Sequence, residues 1–119
     1  MSETLTQYGT NFQSKILTSL LTDVKYTKQI LDIIEISYFD SDSNKFIIKN
    51  IKEYFKKYKT NPTMEALKVL IDDVDNDVLK TSIVDSLRNA WQHRESPDLE
   101  FVKEKSLEFC KNQVVKNAI

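Results

Sequence analysis

Few residues of this 119-residue chain could do chemistry, and their spacing decides what each is able to do. There is one histidine, His93, and one cysteine, Cys110. A structural zinc site needs four such ligands, so this pair cannot build one. His93 has no nucleophile, base or ligand near it in sequence. Cys110 stands in an apolar register without a basic neighbour, the setting of a buried, inert thiol. Gly9 is the only glycine. That excludes a P-loop, which needs two glycines before Lys-Ser/Thr, and a dinucleotide turn, which needs three. Asp40-Ser-Asp-Ser-Asn44 and Asp73-Val-Asp-Asn-Asp77 imitate the opening of a calcium loop. Where an EF-hand requires a glycine and then a bidentate glutamate, they offer Lys45 and Ile51, or Val78 and Val84. Both runs read as helix connectors. The chain therefore offers no catalytic, cofactor-binding or metal-binding constellation and reads as a non-enzymatic unit.

Two groups suit binding instead. Lys45, Lys49, Lys52, Lys56 and Lys59 recur at steps of three and four, which places them on one side of a helix. Such a stripe can neutralise phosphates, and it is also the ordinary solvated face of an amphipathic helix. Trp91-Gln92-His93-Arg94 closes another helix. Trp and Arg are enriched at interface hot spots, while a core tryptophan beside a cationic last turn gives the same pattern.

The elements that must position these residues are helices. Two prolines, one glycine and 29% charged residues leave few breaks. Apolar residues recur at helical spacing in six segments. Residues 1–10 are polar and predict a flexible tail. A first helix carries Phe12, Ile16, Leu17, Leu20 and Leu21, and Asp23 caps a second with Tyr26, Ile30, Leu31 and Ile34. A third runs over about residues 44–59, with Ile47, Ile51, Tyr54, Phe55 and Tyr58 opposite the lysines. Pro62 breaks the chain and Thr63 caps a short fourth helix with Ala66, Leu67, Leu70 and Ile71. The fifth carries Leu79, Ile83, Leu87, Ala90 and Trp91. Ser96-Pro97-Asp98 reads as cap, first-turn proline and acid, and starts a sixth with Leu99, Val102, Phe109, Cys110, Val114 and Ala118. The expected architecture is all-α, a compact four-helix head followed by a two-helix antiparallel hairpin, in a single domain over residues 11–119. Seventeen basic against eighteen acidic residues argue against a general nucleic-acid binder. The N-terminus lacks the basic and apolar regions of a signal peptide, and no run is long enough to span a bilayer. A lone cysteine adds to a cytoplasmic expectation. The last helix reaches Ile119 without a glycine cap, which reads as the interior of a longer protein.

In order, Leu20-Leu21-Thr22-Asp23, Tyr38-Phe39, and Tyr58-Lys-Thr-Asn-Pro62-Thr-Met-Glu-Ala66-Leu67 resemble the N-terminal domain of DnaB-type replicative DNA helicases. Ser96-Pro97-Asp98 is similar to an element before that domain's last helix. The nearest likeness is to the helicase of the primase–helicase pair in large tailed phages, and it covers about residues 12–118.

The resemblance implies a non-catalytic collar. In that family, a helical head and hairpin assemble subunits above a hexameric RecA-like motor and dock primase or helicase loader. ATP, Mg and the glycine-rich loop belong to the motor, which would follow this segment, and 5′-to-3′ translocation is implied only for that parent protein. It also implies the cytoplasm of an infected bacterium. Leu87, Trp91, Leu99, Val102 and Phe109 are the expected contacts between hairpins, with Trp91→Ala or Phe109→Ala weakening an isologous dimer. DNA contact through the lysine stripe is expected to be weak or absent. The alternative is a free-standing regulator that uses this stripe to bind DNA.

Overall fold

The computed structural model describes residues 4–118, and it is all-helical there, without strands. Six α-helices follow one another: α1 Thr10–Thr22, α2 Val24–Ile30, α3 Asp42–Tyr58, α4 Met64–Asp72, α5 Asp77–Gln92 and α6 Leu99–Asn117. No helix among the described residues is long and apolar enough to cross a membrane.

Side-chain caps set most of the boundaries. Asp23 accepts the Tyr26 amide at 3.1 Å, Ser41 the Asn44 amide at 3.1 Å, Thr63 the Ala66 amide at 3.0 Å and Asn76 the Leu79 amide at 3.0 Å. Each satisfies a donor that the first helical turn leaves free, a contribution of about 1 kcal/mol per cap. At the end of α3, Lys59 takes the left-handed conformation usual for glycine, with φ 61°.

α1 is the axis of the molecule. Ile16, Leu17, Thr18, Ser19 and Leu20 are five successive residues without solvent exposure. At 3.6 residues per turn they cover every side of the helix, so neighbours surround it. α5 packs on α1 and α3, α6 packs on α1 and α2, and α4 lies against α5. The small Thr18 and Ser19 admit these neighbours closely. Thr18 also donates from its hydroxyl to the Ala90 carbonyl of α5.

This arrangement corrects the expected hairpin. A short turn joins α5 to α6, but the two helices barely touch: α5 packs mainly on α3 and α1, α6 mainly on α1, and the molecule measures 40 × 31 × 29 Å. The apolar stripes of both helices are thereby used inside the core. The start of α6 also differs. Pro97 and Asp98 form a turn before the helix. Asp98 makes no side-chain cap; its carboxylate instead accepts the Ser96 hydroxyl at 2.6 Å and meets Lys15 of α1 at 2.9 Å.

The expected tail over 1–10 is corrected where it is described. Leu5–Tyr8 forms a 3-10 turn with Leu5 fully buried. Thr6 bonds the Asp40 carboxylate, and Tyr8 packs on Phe12 and edge-on to Phe109. A single leucine and a single tyrosine in a polar segment suffice to anchor it, which composition alone hides. Residues 1–3 and Ile119 lie outside the described residues.

Candidate functional site

Three of the five residues expected at an interface are interior. Leu87 (5% exposed), Val102 (1%) and Phe109 (3%) belong to the protein's own core. Phe109 receives the edges of Tyr8 and Tyr38, with ring centres 6.0 and 5.2 Å away. Val102 and Phe109 cannot anchor a second molecule without unfolding the first, and Leu87 shows only one edge, at the floor of a groove between α4 and α5. Leu99 is half-buried, and Trp91 keeps 40% of its surface exposed. Phe101, absent from the expected set, is 60% exposed on the first turn of α6. Its helical register set it outside the apolar stripe, and that was the available signal.

Trp91 forms a wall between α4 and α5. There a groove of about 430 Å³ is floored by Met64, Ile71, Val84 and Leu87. From α5, Val84, Leu87 and Trp91 follow at steps of three and four; from α4, Met64, Lys68 and Ile71 do the same. Lys68 and Arg88 stand on the rim, and the Arg94 guanidinium lies 5.0 Å over the Trp91 ring at one end. Glu65 is the acid on the same rim, and Asp85 meets Arg88 at 3.4 Å.

The lysine stripe is redrawn. Lys52 is half-buried and donates to the Ile34 carbonyl at 2.6 Å, so its ammonium holds the chain between α2 and α3. Hydrogen bonds from Thr6 and Gln13 hold the Asp40 carboxyl below its ordinary pKa, and the nearby charge of Lys45 adds to this in a smaller way. Lys49, Lys56 and Lys59 remain outward. With Lys28 of α2, Lys56 and Lys59 border an open groove of about 610 Å³, which also holds Asp32 and Glu53. Among the described residues none of Lys28, Lys49, Lys56 and Lys59 forms an ion pair. Over residues 24–59 eight lysines stand against five acids, while the whole chain is net acidic.

The remaining chemistry-bearing residues serve the fold. Cys110 is buried, and burial pushes its thiol up to about 12. A thiol held that far from ionisation is a poor nucleophile at neutral pH. Asp40 and Gln13 clasp each other, through Nε2 to Oδ2 at 2.9 Å and the Asp40 amide to Oε1 at 3.2 Å. The first pseudo-calcium run is thus a connector tied to α1. No cluster of three metal-ligating side chains occurs among the described residues.

The class defined by this geometry is a six-helix all-α body with an apolar groove and a separate basic groove. No family model, curated protein or solved structure matches the chain.

Proposed function

We propose that the chain is a non-catalytic collar domain of a phage replicative DNA helicase, acting in ring assembly and in docking primase or helicase loader. The observation that supports this reading is where the motif residues lie. Asp23 caps α2, Thr63 caps α4 behind a buried Pro62, and Tyr38-Phe39 is buried immediately before α3. The residues that carry the resemblance thus sit at element boundaries, where they determine chain path. A motor with its P-loop, ATP and Mg would be encoded further along the same gene.

Assembly then falls to the apolar side chains left outside the core. Leu99 and Phe101, one turn at the start of α6, take the place of the interior residues first expected there. Sedimentation velocity over a micromolar concentration range tests this. The chain self-associates, and Phe101→Ala weakens the association by about 1–2 kcal/mol. A monomer at every concentration contradicts the assembly role.

The second reading is a free-standing DNA-binding regulator. The unpaired lysines around the α2–α3 groove favour it, since neutralised phosphates release counterions.

A further inference from the structure

We infer that the α4–α5 groove is a docking site for one amphipathic helix of another protein, carrying large apolar anchors one turn apart and acidic residues at its flanks. The inference deepens the docking half of the collar reading and rests on it for the partner's role in the cell.

The shape argues for a helix. Both walls are helical and present their side chains at steps of three and four, so the trough runs along the helices for about two turns, or about 10 Å. Helix-in-groove recognition uses the same periodicity in the ligand, with anchors at i, i+3 or i+4, and i+7. The floor of Met64, Ile71, Val84 and Leu87 is apolar, and Trp91 supplies a rigid wall of the kind found at interface hot spots.

The rim argues for acidic flanks. Lys68, Arg88 and Arg94 outnumber Glu65 and Asp85 there, in a chain whose net charge is −1. Lys68 forms no ion pair among the described residues. Complementary charge at a rim selects partners and speeds their encounter.

A second copy of this chain does not fit the same trough. Its exposed large apolar residues on helices outside the groove are Tyr58, Val69, Val78, Phe101, Val114 and Val115, with Val24 at the start of α2. No described helix presents three of them at i, i+3 or i+4, and i+7. Phe101 stands fourteen residues from Val115, about 21 Å along α6.

Trp91 is the only tryptophan, so its fluorescence reports on the groove and on the neighbouring recess it shares with Leu21, Val24 and Pro62, which Val84 does not line. The probes are two synthetic helical peptides of about four turns with leucines at i, i+4 and i+7. One is flanked by glutamates, the other by lysines. The glutamate peptide shifts Trp91 emission to shorter wavelength in a saturable titration, and the lysine peptide binds at least about tenfold more weakly. Val84→Glu, at a position 38% exposed, abolishes the shift, and Lys68→Glu with Arg88→Glu reverses the peptide preference. Absence of a saturable shift overturns the inference. So does equal binding of the two peptides, or a shift produced by concentrating the chain without peptide. These peptide outcomes leave the sedimentation of the chain and the content of its gene unaffected, so failure here and failure of the collar reading are separable.

Discussion

Phe109 and Trp91 look alike in the sequence: each is an aromatic residue on the apolar stripe of a long helix. The structure separates them. Phe109 is enclosed by Tyr8 and Tyr38, while Trp91 follows the fully buried Ala90 and turns toward the surface. A helical period places a residue on a side, and only the neighbours decide which edge of that side is covered. The same limit applies to Ser106 and Gln113, which are buried in the α6 stripe although polar. Ser106 is satisfied there by the Tyr26 hydroxyl at 2.6 Å and the Lys103 carbonyl at 3.0 Å. Burial raises the Tyr26 hydroxyl's pKa, so it stays protonated throughout the usual range and remains a donor. The residue-scale prediction follows from enclosure. Phe109→Ala lowers unfolding free energy by about 3–5 kcal/mol in urea titrations, because the core around three rings cannot collapse fully. A loss below about 1 kcal/mol contradicts the placement of Phe109 in the core.

At the scale of elements, the helices themselves were legible because caps and stripes agree. Asp23, Thr63 and the connector before α3 act where their types predict. What could not be read was the partner of each helix. A stripe on α5 or α6 is equally satisfied by a hairpin partner or by α1, and the buried Thr18 and Ser19 that favour α1 carry no apolar signal. The N-terminal turn was hidden for a similar reason, since Leu5 is one apolar residue in a polar segment. Asp23 gives this scale its prediction. Its carboxylate caps α2 and lies 2.8 Å from Lys103 of α6. The hydrogen bond from Lys103 holds its pKa below the ordinary value, while Lys103 itself is raised. A carboxyl depressed in the folded state adds stability above its unfolded pKa of about 4, and that contribution is lost as pH falls through the folded value. The raised lysine keeps its charge up to pH about 10.5 and beyond. Urea midpoints measured from pH 6 down to pH 2 therefore fall less steeply in Asp23→Asn, which can still cap α2 but has no charge to lose. Parallel curves for the two proteins contradict the ion pair as a link between α2 and α6.

For the whole molecule, composition already pointed to an all-helical body without the loops that nucleotide chemistry needs. The distribution of charge and exposed apolar surface over that body came only with the fold. The lysines of α2 and α3 gather round one groove, Phe101 stands out from α6, and Trp91 walls a second, apolar groove. Separate surfaces of this kind are compatible with the collar role proposed above. The central claim is that this body belongs to the same polypeptide as a ring motor. Reading the gene beyond codon 119 tests that most directly. The account predicts that the frame continues into a RecA-like domain containing Gly-x-x-x-x-Gly-Lys-Thr, and a stop codon directly after Ile119 contradicts it.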